Sequence, residues 1–336
     1  MCLSRSDQRR GSAGRTAPRQ RRRATTENEA EVSSLLQDEK SPLDLKLRPN
    51  GRHGHPLDTA FGCPRNFLSS NRCVYTVVSP RAVGLSVGVN MNPDAHCNFD
   101  CLYCEVVRQP NGPRQPLAVE AMAVELQRTL AEVHSGRIRE RGPYQHLPPE
   151  LLKLRHVALS GDGEPTLCPN FVQAVQAVAH IRALGQFPFF KLVLITNSTG
   201  LDLPGVQQGL KSFTKEDEIW AKLDVGTQAY LNRVNRTKVS LERILANILL
   251  VARVRPVVIQ SLFPLINDEE PTPVEIEQFA LRLKELAAQG AQISLVQIHS
   301  GSRPPAHREC GHLPLKTLSH IALVVRKTTG LNVEVF

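Results

Sequence analysis

Short apolar runs alternate along the chain with longer stretches in which apolar residues recur at helical spacing. The short runs, which predict buried strands, cover residues 74–78, 84–89, 154–159, 190–195, 219–225, 256–262, 293–298 and 332–335. The longer stretches, which predict amphipathic helices, cover residues 117–134, 171–183, 241–251, 274–288 and 315–327. Thr272 and Pro273 before the fourth helix, and Gly330 after the last one, are typical residues for a helix start and a helix stop.

This alternation predicts an α/β fold in which parallel strands are joined by right-handed helical crossovers. About six strand–helix units fit between residues 84 and 300, which predicts a partial (β/α)6 or full (β/α) barrel. A Rossmann-type sheet is the main alternative, but no G-x-G-x-x-G follows the first strand. We therefore expect a tail at 1–55, a lead-in segment at 56–83, a barrel core at 84–300, and a C-terminal helix and strand at 301–336 that close the barrel.

Polar and small residues follow the predicted strands at the point where each strand ends. They occupy residues 160–166, 196–198, 222–224, 267–268 and 299–300, and Gln260 and Gln297 lie within the last two barrel strands. Functional residues of barrels lie at the carboxyl ends of the strands, which surround one mouth. A barrel that served only as a core would not need polar residues there, so the pattern predicts a functional site at the mouth.

The positive charge of the chain is concentrated at its N-terminus. The net charge is +9, and residues 1–23 hold eight arginines and one acidic residue, so that +7 lies in this segment and +2 in the rest. Residues 1–55 are rich in Arg, Ser, Gly and Pro, which predicts a disordered basic tail. Such a tail can contact RNA, an acidic protein or membrane phosphates, or remain a solvated appendage.

The chain carries no pattern typical of export or membrane insertion. No apolar segment follows the polar and basic N-terminus as in a signal peptide. The most apolar stretch, residues 244–254, is interrupted by Asn247 and Arg253 and is too short to span a bilayer. We therefore expect a cytoplasmic protein without a membrane partner, in a reducing compartment where thiolates persist.

Three cysteines, Cys97, Cys101 and Cys104, follow the first barrel strand at C-x3-C-x2-C spacing. Such a loop can place three thiolates around one face of a cubane iron–sulfur cluster, and because four cysteines are the usual ligand set, one iron is left without a cysteine. Three cysteines and a nearby histidine can instead bind zinc, but His96 adjoins Cys97 and is badly placed to chelate with it. Ordinary core cysteines are the third possibility.

The run from His96 to Cys104, with Tyr103 before its last cysteine, resembles the cluster loop of the radical S-adenosylmethionine (SAM) enzymes. Gly163-Glu164-Pro165 resembles the glycine-rich motif after the second strand of that family. The branch that includes the tRNA wyosine-forming enzymes is the most similar, through residues 98–104, 161–167 and 329–336. The resemblance implies a radical SAM barrel whose [4Fe–4S] cluster cleaves SAM reductively to a 5′-deoxyadenosyl radical, which abstracts hydrogen from an unknown substrate.

The resemblance also implies roles for individual residues. Cys97, Cys101 and Cys104 would bind the cluster, and SAM would chelate the open iron. The residues expected to bind SAM are Tyr103, Gly163, Glu164, Asn197, Lys222 and Asp224, with Glu164 at the amino group. The residues expected on the substrate side are Gln260, Gln297 and His299. Each has a structural alternative: a tight turn at Glu164, a helix cap at Asn197, an interior ion pair of Lys222 with Asp224, and satisfied core polar groups for the last three.

The expected partners are a one-electron donor of the flavodoxin or ferredoxin type and a substrate that is an RNA base, a peptide or a small molecule. The near-neutral domain disfavours RNA, which needs a basic surface. A tRNA base-modifying enzyme of the wyosine type is one alternative function. A non-catalytic zinc or iron–sulfur module with an arginine-rich interaction arm is another, and it leaves Glu164 and the polar strand ends unexplained.

Overall fold

The computed structural model describes residues 65, 68, 71–79, 81–107, 115–301 and 305–336. The predicted tail at 1–55, and the predicted lead-in segment up to residue 64, lie outside the described residues. The strands are β1 Val74–Ser79, β2 Gly84–Asn90, β3 Leu154–Ser160, β4 Lys191–Thr196, β5 Glu218–Lys222, β6 Val257–Leu262, β7 Pro264–Ile266, β8 Ile293–His299, β9 Cys310–His312 and β10 Val333–Val335. The α-helices are α1 Val119–His134, α2 Phe171–Ala183, α3 Pro204–Leu210, α4 Gln228–Val234, α5 Leu241–Ala252, α6 Pro273–Ala288 and α7 Leu315–Thr329.

Eight strands form one curved sheet in the order β1-β2-β3-β4-β5-β6-β8-β10. Within this sheet the strands β2, β3, β4, β5, β6, β8 and β10 pair in parallel, and β1 adds an antiparallel edge. Helices connect most of the successive parallel strands, so the carboxyl ends of these strands lie along one rim. The prediction of a partial (β/α) barrel is confirmed as a half-barrel, and β7 and β9 form a separate two-stranded ribbon.

The two faces of the sheet differ in polarity. Side chains of successive strand residues point to opposite faces. The convex face carries fully buried apolar residues, among them Val157, Leu194 and Ile259, which belong to the main core. On the concave face, a small apolar cluster around Trp220 and Val258 lies among polar side chains. Both faces are buried, but the concave face holds buried polar side chains such as Gln260 and Gln297, which makes it the face suited to a polar ligand.

Local sequence explains where the main helices begin and end. In α5 the buried residues include Ile244, Ile248 and Val251, spaced by three and four positions, and the Ser240 hydroxyl accepts the Arg243 N–H. Thr272 caps α6 in the same way, with Pro273 in its first turn, and Gly330 ends α7 with a φ of 71°. No helix among the described residues is both long and apolar enough to cross a bilayer.

Candidate active site

The cysteine loop follows β2 and lies against three other elements at the mouth of the half-barrel. The Asp100 N–H donates to the Asn235 carbonyl at 3.1 Å, and the Leu102 N–H donates to the Val234 carbonyl at the end of α4 at 2.9 Å. The Glu164 N–H donates to the His96 carbonyl at 2.9 Å, and the Ala306 N–H donates to the Cys104 carbonyl at 2.8 Å. Main-chain bonds on both sides therefore fix the loop before any ligand binds.

The sulfurs of Cys97 and Cys101 receive N–H donors. The Phe99 N–H lies 3.4 Å from the Cys97 Sγ, and the Asn197 amide lies 3.8 Å from the same sulfur. The Asn235 amide donates to the Cys101 Sγ at 3.3 Å. Hydrogen bonds to cysteine sulfurs are typical of iron–sulfur sites, where they tune the cluster. Burial raises the pKa of the Cys101 thiol to about 12, so a metal must displace its proton on binding.

Asn235 is a site residue that the sequence analysis did not find. Its amide also donates to Asp224 at 2.9 Å and to the Tyr103 hydroxyl at 3.2 Å. It follows the short helix α4, whose seven residues are too few for a recognisable helical period, and no motif surrounds it. Only the packing of this helix end on the cysteine loop brings it to Cys101.

The Glu164 carboxylate joins two strand ends. Its Oε1 accepts the Thr166 N–H at 3.0 Å and the hydroxyls of Thr166 and Thr196 at 2.6 and 2.5 Å, and its Oε2 accepts the Asn197 N–H at 2.7 Å. Burial raises the pKa of Glu164, and these hydrogen bonds oppose the rise. Three of these donors share Oε1 and only one reaches Oε2, and because a carboxylate oxygen has about two acceptor positions, Oε2 can accept one further donor.

The glycines of the loop after β3 allow it to pack directly on the cysteine loop. Gly161 has a φ of +138°, and a Cβ there would lie 2.2 Å from the Asn90 Oδ1. A Cβ on Gly163 would lie 2.0 Å from the His96 carbonyl oxygen. Any side chain at these two positions would push the Glu164 loop away from the cysteines.

Tyr103 of the cysteine loop lies beside two residues at the end of β5, Lys222 and Asp224. The Tyr103 hydroxyl donates to Asp224, which also accepts the Leu262 N–H at 2.9 Å. The Lys222 ammonium lies 4.7 Å from the centre of the Tyr103 ring, a cation–π contact. The ion pairs found among the described residues do not join Lys222 to Asp224. The Asp224 carboxylate therefore accepts hydrogen bonds from Tyr103 and Asn235 and does not pair with Lys222.

The residues expected on the substrate side share the concave face. Lys222, Gln260 and Gln297 are register neighbours on β5, β6 and β8, and the Gln260 amide lies 3.5 Å from the Gln297 oxygen. His299, two residues further along β8, is 4% exposed, and its Nδ1 has no hydrogen-bond partner among the residues that the structure describes. Burial lowers its pKa well below the usual value, and Arg81 and Lys222 add to this effect, so the imidazole is neutral.

Unsatisfied polar atoms around the mouth fit a site built for a further group. In the described part of the chain, buried side-chain atoms without a partner include the Asn92 Oδ1, the Asn235 Oδ1 and the His299 Nδ1. Such atoms are costly unless a ligand or water satisfies them. No three His, Cys, Asp or Glu side chains in this part of the chain converge as ligands of one metal ion. The amide donors at two sulfurs and the orphaned oxygens fit an iron–sulfur cluster with a polar ligand beside it.

The chain resembles a curated protein in sequence over about half of its length. No protein-family model matches the chain. UPF0026 protein slr1464 of Synechocystis sp. strain PCC 6803 is 28% identical over 181 residues, which are 52% of this chain and 57% of that protein, so the chain spans little more than half of that relative.

Solved structures resemble the chain in architecture at low sequence identity. Streptococcus suis SuiB, in a crystal structure with bound S-adenosylmethionine, has a TM-score of 0.51 and 13% identity over 76% of this chain and 51% of SuiB. TYW1 with a lysine–pyruvate adduct has a TM-score of 0.48 and 13% identity over 78% of this chain and 86% of TYW1. The likeness to SuiB shows the fold alone. The protein has the half-barrel fold of the radical SAM type.

Proposed function

We propose that this chain is a radical SAM enzyme. In this proposal Cys97, Cys101 and Cys104 bind a [4Fe–4S] cluster, and SAM occupies the iron that lacks a cysteine. The observation that carries the proposal is the placement of the C-x3-C-x2-C loop at the mouth of the half-barrel, with amide donors at the sulfurs of Cys97 and Cys101. When bound, the cluster and SAM supply reductive cleavage of SAM and hydrogen abstraction from the substrate.

The residues of the mouth bind and orient SAM in this proposal. Glu164 receives the SAM amino group on the remaining acceptor position of Oε2, and the bond from the Asn197 N–H fixes that oxygen. Lys222 lies beside Tyr103 and forms no ion pair with an acid of the described residues, so it is suited to the SAM carboxylate. Asp224 has both oxygens engaged by Tyr103, Asn235 and Leu262, so it positions Tyr103 more than it contacts the ligand.

Reductive cleavage needs one electron, and we propose a flavodoxin or ferredoxin as the donor. Asn197, Asn235 and Cys101 are buried, whereas Cys97 and Cys104 are half-buried, so the protein covers one side of the proposed cluster. Water exclusion protects a reactive species from side reactions.

Low-temperature EPR of the anaerobically reconstituted, reduced protein tests the proposal directly. We expect a [4Fe–4S]+ signal whose g values change when SAM is added, because SAM enters the coordination sphere of the open iron. A cluster signal that does not change when SAM is added would indicate an electron-transfer cluster or a structural cluster. Zinc in place of iron would favour the binding-module hypothesis.

Glu164→Ala should weaken SAM binding at least tenfold without loss of iron. The change removes the proposed acceptor of the SAM ammonium group. It also leaves the N–H groups of Thr166 and Asn197 without an acceptor, and each unsatisfied N–H costs about 1–3 kcal/mol. Equilibrium binding of SAM to the reconstituted protein measures the effect, with iron content determined on the same sample. Glu120→Ala, at an exposed position on α1, is the control. Unchanged SAM affinity in Glu164→Ala would remove this residue from the SAM site.

Asn235→Ala should lower the reduction potential of the cluster. The Asn235 N–H bond to the Cys101 Sγ favours the more negative, reduced state, so its loss favours oxidation. A loss of about 1 kcal/mol corresponds to a shift of roughly 40 mV for a one-electron couple. A redox titration followed by EPR measures the potential, with Asn232→Ala, at an exposed position on the same helix, as control. An equal potential in both variants would show that the Asn235 amide does not act on the cluster.

A further inference from the structure

Asn92 is a buried amide beside the Glu164 loop, and its side-chain oxygen is unsatisfied. It is 3% exposed, and no residue that the structure describes donates a hydrogen bond to its Oδ1. A buried acceptor without a donor is costly, and most such atoms in folded proteins are paired. The Asn92 Oδ1 therefore marks a position at which a bound group can donate a hydrogen bond.

Main-chain hydrogen bonds hold Asn92 at the mouth of the half-barrel. β2 ends two residues before it, and the Met91 N–H donates to the Ser160 carbonyl at the end of β3 at 2.8 Å. The Asn92 N–H donates to the Asn90 Oδ1 at 3.2 Å, and the Asn92 carbonyl accepts the Ala95 N–H at 2.9 Å. The turn that leads into the cysteine loop is therefore ordered on both sides of Asn92, which is preorganised for a ligand.

Asn92 packs against the glycine that precedes Glu164. A Cβ on Gly163 would lie 2.6 Å from the Asn92 Cβ, so only a glycine allows this contact. The Glu164 carboxylate bonds instead to the Thr196 hydroxyl and the Asn197 N–H at the end of β4. β2 and β4 are the two neighbours of β3 in the sheet, so their ends lie about 10 Å apart. Asn92 and Glu164 therefore flank the end of β3 from its two sides.

We propose that Asn92 binds the amino group of SAM together with Glu164. This inference rests on the proposed function, because it takes SAM as the ligand of the mouth. An amino group that coordinates a metal through its nitrogen lone pair keeps two N–H bonds. The Glu164 Oε2 can accept one of them, since its other acceptor position holds the Asn197 N–H. The Asn92 Oδ1 accepts the second, which satisfies the buried oxygen and the amino group together.

The two acceptors recognise the amino-acid end of SAM and not its nucleoside. 5′-Methylthioadenosine keeps the nucleoside of SAM but lacks the amino-acid end, so it offers no amino group to Asn92 or Glu164. Asn92 should therefore contribute to the affinity for SAM and leave the affinity for 5′-methylthioadenosine unchanged. This pair of ligands separates a direct contact from a general distortion of the mouth.

Asn92→Leu replaces the amide by an apolar side chain of similar size. In the anaerobically reconstituted protein it should raise the dissociation constant for SAM at least about fivefold at unchanged iron content. It should change the dissociation constant for 5′-methylthioadenosine less than about twofold. Asn92→Asp keeps an acceptor oxygen and should retain the affinity for SAM within about threefold of wild type. Equilibrium binding of both ligands measures these constants.

The stability of the SAM-free reconstituted protein separates ligand binding from a structural role. Asn92→Leu removes an unsatisfied buried oxygen, so it should raise the midpoint of thermal unfolding by about 2 °C. Asn71→Leu is the matched control, because the buried Asn71 amide donates to the Val74 carbonyl at 3.0 Å and to the Thr129 hydroxyl at 2.9 Å. Asn71→Leu should lower the midpoint and leave the dissociation constant for SAM unchanged.

A double variant tests whether Asn92 and Glu164 act on one group. The loss of SAM affinity in Asn92→Leu/Glu164→Ala should be smaller than the product of the two single losses, because both residues bind the same amino group. A loss equal to that product would overturn the shared contact.

Three other results would overturn the role of Asn92. They are equal SAM affinity in wild type and Asn92→Leu, equal losses of affinity for SAM and 5′-methylthioadenosine, and a lower midpoint of unfolding in Asn92→Leu. If the EPR signal of the wild type still changes on addition of SAM, such a result removes Asn92 from the site and leaves the proposed function standing. A wild-type protein that binds no SAM would overturn both proposals.

Discussion

Replacing any one of Cys97, Cys101 and Cys104 by alanine is expected to reduce the iron bound after reconstitution from about four atoms per chain to less than about one, and to abolish the proposed SAM cleavage. The proposed cluster would have no other cysteine within the loop to replace a missing ligand. Iron analysis and visible absorption after anaerobic reconstitution measure the result. The effect should be nearly all-or-none, because three ligands on one loop bind cooperatively.

Cys168→Ala is the matched control for these variants. Cys168 is buried but lies outside the cysteine loop, so its replacement should leave the iron content unchanged. If Cys101→Ala retained a full [4Fe–4S] complement, the assignment of the cluster ligands would be wrong.

The second large effect is expected at Asp217, which anchors the start of β5. Its carboxylate accepts hydrogen bonds from the Arg182 guanidinium at 2.6 Å, the Leu192 N–H at 2.7 Å and the Thr214 N–H at 2.6 Å. Asp217→Ala leaves Arg182 buried without its partner, so we expect a loss of about 3–5 kcal/mol in the free energy of unfolding. Chemical denaturation measures this loss.

Glu216→Ala provides the comparison for Asp217→Ala. Glu216 is an exposed neighbour whose contact with Lys215 is 3.9 Å long, and exposed pairs contribute little. Its replacement should change the free energy of unfolding by less than about 0.5 kcal/mol. Similar losses in the two variants would mean that the buried pair does not anchor β5.

The effect of Asp217→Ala should depend on pH. Burial alone would raise the pKa of Asp217, but the hydrogen bonds from Arg182, Leu192 and Thr214 outweigh it and hold the pKa below its ordinary value of 3.8. A carboxylate whose pKa is lowered by folding stabilises the protein above its unfolded pKa and loses this contribution as the pH falls through its folded pKa. The difference between wild type and Asp217→Ala should therefore be largest near neutral pH and shrink below pH 3.8.

Local patterns in the sequence predicted the larger elements of the fold. The parallel strands and the long helices follow from apolar periodicity, because a strand with both faces buried and an amphipathic helix each impose their own spacing. The polar strand ends indicated which rim of the half-barrel carries the site. The short helices α3 and α4 and the ribbon of β7 and β9 were not predicted, because each is too brief to show a period.

The sequence by itself determined the cysteine spacing and the glycines that allow close packing, because both depend on neighbouring residues. Only the tertiary structure decided what surrounds them. Asn235 donates to the Cys101 sulfur although the two residues lie 134 positions apart in the sequence. Glu164 accepts the Thr196 hydroxyl across 32 positions. Lys222, Gln260 and Gln297 likewise come together from three separate strands, whose alignment depends on the register of the sheet. Periodicity fixes the face on which a side chain lies, but the register and the crossovers fix its neighbours.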